Sequence, residues 1–234
     1  MIKLLLFSII MMIIVILLLI IVNKYVVEEK NQNILFIITS LLTVIIHYLP
    51  FIVSLFKGKI LTDNIYYLPV YPCNVIMWLN IIMCFFIKKK NVVFQTLADF
   101  SFFCGTICGL IGLFLNENFL NNPIFLDLIN IKGLFSHVVM IFTCLSIGVF
   151  KWIKVNTLRN TIHLLIGCFI FVICHLYTNL ILKLRGLEKV DAFYINKMFE
   201  KGAYLNFFTI SLLGLILIIV GTKIYEKIKL RGEK

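Results

Sequence analysis

Residues 4–22 read LLLFSIIMMIIVILLLIIV, nineteen consecutive positions without a charged side chain. As a helix, such a run crosses a hydrocarbon core of about 30 Å. In lipid, only helices and closed barrels satisfy all their backbone hydrogen bonds. Working outward along the chain, apolar runs of similar length recur at 34–56, 68–87, 92–115, 133–150, 161–182 and 204–220. The pattern predicts an all-α, polytopic integral membrane bundle of seven transmembrane helices. Its longest polar connection, residues 183–203, leaves no room for a soluble domain, so a single domain is expected over 1–234. The first run reads as a retained anchor. A cleaved signal has a shorter apolar core and a small-x-small site, and Val22-Asn23-Lys24-Tyr25 offers none.

The formal charge of +11 does not imply a nucleic-acid partner, because the basic residues are spread over loops and tails. In a membrane protein such charge orients the chain and faces an anionic leaflet. One set of connections holds Lys88, Lys89 and Lys90, then Lys151, Lys154 and Arg159, then the tail from Lys223 to Lys234. It outweighs the other set, to which Lys57, Lys59, Lys132 and the stretch from Lys183 to Lys201 are assigned. The expected orientation is N-terminus outside and C-terminus cytoplasmic, in the cell membrane. Tyr66, Tyr67 and Tyr71 at one boundary, and Trp152 at the other, fit interfacial aromatic belts.

Of seven cysteines, Cys84, Cys104, Cys108, Cys144, Cys168 and Cys174 fall inside apolar runs, as small soft core residues do. With no Cys-x-x-Cys pair, neither a disulfide framework nor a zinc knuckle is indicated.

Helix alternation places several polar residues at one depth. Cys73 and His137 lie one to two turns inside descending helices. His47, His175 and Asn179 lie near the ends of ascending ones, and Tyr204 and Asn206 open the last. At 1.5 Å per residue they sit roughly 3–14 Å below one boundary. Each alone reads as a helix–helix hydrogen bond; their shared level is what argues for a site. His163 falls at the other end of its helix and reads as interfacial. Asp99, low in the fourth run, reads as marking that helix's true start. Gly105, Gly109 and Gly112 form a small-residue face suited to close helix packing. Residues 116–132 read as a loop with an interfacial helical turn.

The strongest local signal is Leu68-Pro69-Val70-Tyr71-Pro72-Cys73-Asn74. Proline favours the first turn of a helix, which puts Cys73 in an opening turn. There the helix dipole, and a neighbouring imidazole, favour a nucleophilic thiolate. The same residues also suit a proline-shaped helix entry around an inert buried thiol.

The Leu-Pro-x-x-x-Cys entry at 68–73 resembles that of the YwaF-like integral membrane proteins, and Pro72-Cys73 resembles their animal relative, transmembrane protein 164. Phe102-Phe103-Cys104-Gly105 with Gly109 is similar to that family's fourth helix, and Phe135-Ser136-His137 to its His-bearing fifth. Tyr71 stands where bacterial members often have His. The resemblance implies a Cys-dependent phospholipid acyltransferase or lipid hydrolase. In it Cys73 is the nucleophile and His137 the general base; Asn179, His175, Asn206 and His47 orient the imidazole or bind substrate. It implies membrane phospholipids as partners, no soluble protein partner, and no metal or other cofactor. Two other classes fit the same polar layer. One is a transporter or solute-binding subunit, against which no inverted repeat is seen. The other is a metal or haem protein using His47, His137 and His175, which lack local ligand spacing.

Overall fold

The computed structural model describes residues 2–57, 71–153, 155–184 and 186, together with 209, 212, 215, 216, 218–220, 222 and 223. Among the described residues the regular structure is helical. In chain order the elements are α1 (Ile2–Tyr25), α2 (Glu29–Phe56), α3 (Pro72–Phe86) and α4 (Val92–Phe100). A π-helical turn (Ser101–Gly105) joins α4 to α5 (Thr106–Phe114). Then come α6 (Glu117–Asn121), α7 (Leu128–Val149) and α8 (Thr157–Leu184).

Five helices are long and apolar enough to cross a membrane: Ile2–Tyr25, Glu29–Phe56, the composite Val92–Asn121, Leu128–Val149 and Thr157–Leu184. Against the expectation of seven, these five are found among the described residues. The third run yields a helix of 15 residues. Pro72 occupies the first helical position and so sets the start, while a turn over Lys88 and Lys89 follows the end. The seventh run, 204–220, lies mostly outside the described residues.

Helix starts follow local chemistry. The Asn91 side chain accepts from Phe94 N at 3.0 Å, Asn116 from Phe119 N at 3.0 Å, and Asp127 from Ile129 N at 3.2 Å. Each fills an orphan donor of a first turn. Two sequence expectations are corrected here. Asp99 does not mark a helix start: Asn91 caps the helix two turns earlier, and Asp99 lies inside it, fully buried. Lys132 is not in a loop. Asp127 begins α7 ahead of it, and Asn130 Nδ2 donates to the carbonyls of Asn122 and Ile124, at 2.6 and 2.9 Å. These bonds fold the connection back and extend the helix, so Lys132 is buried on it.

α7 is the central helix, with α1, α2, α5 and α6 around it; α8 packs against α4 and α3. The α5–α7 approach is close because Gly105, Gly109 and Gly112 face α7. A β-carbon at these positions would overlap Cys144, Ile141 and the His137 ring respectively. The small-residue face anticipated from sequence therefore packs helices. Phe36, Phe94 and Phe150 surround Trp152, with ring centroids 4.9–5.4 Å apart. Trp152 is thus buried rather than placed in an exposed belt. Lys90 Nζ lies 5.4 Å from its ring centroid and 2.9 Å from Glu29 Oε1.

Candidate functional site

Cys73 is the second residue of α3. The extended backbone of Tyr71 (φ −88°, ψ 147°) leads into Pro72, and Tyr71 O accepts from Asn74 N and Val75 N at 2.9 and 3.1 Å. The thiol therefore sits in the opening turn, where the proline pattern placed it. Its Sγ lies 3.5 Å from Asn74 Oδ1 and packs on the apolar cluster that includes Ile76, Phe100 and Cys144. Burial dominates at this sulfur and favours the neutral thiol over the anticipated thiolate, against the smaller opposing influences of the Asn74 backbone N–H and the nearby Lys132 ammonium.

His137 lies on α7. Its Nδ1–H donates to the Gly133 carbonyl one turn earlier, and its Nε2 edge lies against Gly112 of α5. With the proton on Nδ1, Nε2 carries the lone pair. α5 relates the two residues: Cys108 is within electrostatic range of Cys73, and Gly112, one turn along the same helix, meets His137. Four helical residues rise about 6 Å, so Cys108 and Gly112 lie on neighbouring turns of α5. Among the described residues no hydrogen bond joins them. Lys132 is near both. Read as a loop lysine, it was missed as a neighbour of this site; the signal was Asp127, whose capping chemistry moves the helix start forward.

His175 is buried on α8, and Asn179 Nδ2 lies 2.9 Å from its Nε2, one turn away. These two are thus brought together with each other. The bond that fixes the His137 ring comes from Gly133. His47, buried on α2 one turn before Pro50, stacks edge-on against Tyr48 with centroids 5.3 Å apart. Asn206 and Tyr204 lie outside the described residues. No group of His, Cys, Asp or Glu suited to hold a metal ion occurs among the described residues.

At the other end of the bundle lies a polar cluster that sequence reading left as two unrelated residues. Asp99 Oδ2 receives His163 Nδ1 at 2.6 Å and Arg159 Nη2 at 3.0 Å. Arg159 Nη2 also reaches Gln95 Oε1 at 2.9 Å, and His163 Nε2 lies 3.4 Å from Thr96 Oγ1. His163, taken as interfacial, is instead held between helices with only 12% of its side chain exposed. The available signal was the matched spacing: Gln95/Asp99 on α4 and Arg159/His163 on α8 each place two polar residues on one helix face.

The model of the family described as "TMEM164 family" matches residues 1–225. Comparisons with curated proteins and with solved structures find no match.

Proposed function

This chain belongs to the TMEM164 family, and from that premise we propose that it is an acyltransferase or lipid hydrolase acting on phospholipid acyl esters. Cys73 is the nucleophile and His137 the general base. The observation that carries the reading is the placement of the Cys73 thiol in the first turn of α3, together with His137 of α7, proton on Nδ1 and lone pair on Nε2, against Gly112 of α5.

In the first step His137 Nε2 takes the thiol proton as Sγ attacks the ester carbonyl. The carbonyl–oxygen bond to the lipid breaks, the leaving alkoxide takes that proton, and an acyl thioester remains on Cys73. In the second step Nε2 takes a proton from an acceptor hydroxyl or water, whose oxygen attacks the thioester and releases the thiol. In the opening turn of α3 the Cys73 N–H is the backbone donor suited to the developing oxyanion, since Pro72 has none and Asn74 N and Val75 N donate to Tyr71 O. Lys132 adds positive charge nearby. His175 and Asn179 form a second polar pair that supplies substrate-facing hydrogen bonds. Membrane phospholipids are the substrates, and the chain is a multi-pass protein of the cell membrane with its C-terminus cytoplasmic.

The test is the product profile of purified protein in vesicles carrying a labelled phospholipid. Wild type is expected to move the labelled acyl group, and Cys73→Ser to lose that transfer while folding normally. Equal transfer by both would remove Cys73 from the chemistry.

A further inference from the structure

The Asp99 cluster lies apart from the proposed acyl-transfer residues and is used by none of its steps. Asp99 sits in the membrane-crossing composite helix, and its side chain has no exposed surface. A carboxylate there is tolerated only with partners. Arg159 is always protonated and balances its charge. With that balance made, a neutral His163 keeps the buried cluster uncharged overall, whereas an imidazolium would leave one net positive charge. Neutral His163 must then carry its proton on Nδ1, donating to Asp99 Oδ2, which leaves the lone pair on Nε2.

Nε2 faces Thr96 Oγ1 at 3.4 Å. The Thr96 hydroxyl directs its own proton to the Val92 carbonyl, 2.9 Å away. Its oxygen therefore presents a lone pair toward His163, so a proton added at Nε2 meets a ready acceptor. Asp99 Oδ1, buried and without a hydrogen-bond partner among the described residues, holds unspent negative potential beside the ring. The cluster thus accommodates both states of the imidazole. His163 has a carboxylate on Nδ1, whereas His137 has the Gly133 carbonyl there.

We infer that Asp99, Arg159 and His163 form a second acid–base centre, whose ligand is a proton taken up and released at His163 Nε2 while Asp99 holds Nδ1–H. Asp99 fixes the ring, Arg159 neutralises the carboxylate, and Thr96 receives the added proton's hydrogen bond. Of the elements packed against α4, α8 contributes the charged groups Arg159 and His163. α3 has only the thiols Cys73 and Cys84 to titrate, and the π-helical turn only Cys104. Beyond Leu184, Thr222 reaches α8 at Thr157, and Lys223 beside it is exposed. Arg159, the third residue of α8, sets the cluster toward a helix end, where protons exchange with water.

The test is imidazole ¹⁵N spectroscopy on the full-length protein, with His163→Gln to assign the signal. The neutral ring is expected as the Nδ1–H form, and acidification is expected to move only the Nε2 resonance to its protonated position. A neutral Nε2–H form, or no uptake at Nε2, would overturn the inference. Diethyl pyrocarbonate gives a second reading: Nε2 attacks its carbonyl, ethyl carbonate leaves, and the Nδ1 proton passes to Asp99. His163 should react faster than His137 and His175, and Asp99→Asn should slow it several-fold with the other histidines unchanged. Equal reactivity of His163 with and without the carboxylate would also overturn it.

Discussion

Lys151 follows the C-terminal end of α7 with a φ of 58°. Its N–H bonds Gly148 O at 3.0 Å, and Trp152 N bonds Ile147 O at 3.1 Å. This pair of bonds closes a helix with a left-handed residue, a position that glycine fills without a β-carbon clash. Lys151 is exposed there, so Lys151→Gly is expected to raise stability by about 1 kcal/mol, read as a higher unfolding midpoint in detergent. Lys90, at φ 43°, should gain less from the same change, because its ammonium also contacts Glu29 and Trp152. At Gly112 the sign reverses. A methyl group there overlaps the His137 ring. Gly112→Ala should cost about 1–3 kcal/mol and depress acyl transfer by displacing the imidazole. Unchanged transfer in that variant would show that the ring position does not matter to the reaction.

The elements show where sequence was legible. Long apolar runs located α1, α2, α7 and α8, with starts up to five residues late at α2 and α7, because lipid demands both length and hydropathy. Pro72 announced the start of α3, and with it the place of Cys73. Lys132, Asp99 and Trp152 were misplaced for one shared reason. Each is polar or amphipathic near a boundary, and only partners distant in sequence decide whether such a residue turns to water or inward. For Trp152 the partners are Phe36, Phe94 and Phe150, drawn from α2, α4 and the end of α7. This aromatic group ties three elements together. Trp152→Ala should therefore cost about 3–5 kcal/mol, whereas Phe85→Ala, at an exposed position on α3, should cost far less. Comparable losses from the two would contradict the buried placement. The π-helical turn was not legible at all, since its extra residue answers to contacts at Gly105 that no local pattern records.

At the scale of the molecule, the chain combines two polar levels in one helical bundle. Cys73, His137 and Lys132 stand at one end, and Asp99, Arg159 and His163 at the other. The basic-residue bias predicts which end faces the cytoplasm. A tag at Lys234 is expected to be protected in intact cells and one within residues 57–67 to be accessible; the opposite pattern would invert both levels together. The central claim, acyl transfer through Cys73, is tested most directly by capturing its intermediate. Protein incubated briefly with a labelled phospholipid should be quenched in acid and digested, and each of the seven cysteine-bearing sites examined by mass spectrometry for a hydroxylamine-sensitive acyl adduct. The account predicts an acyl thioester on Cys73 that is absent in Cys73→Ser and forms more slowly in His137→Ala. Acyl label spread over several cysteines irrespective of His137, or no thioester on Cys73 while lipid turnover proceeds, would contradict it.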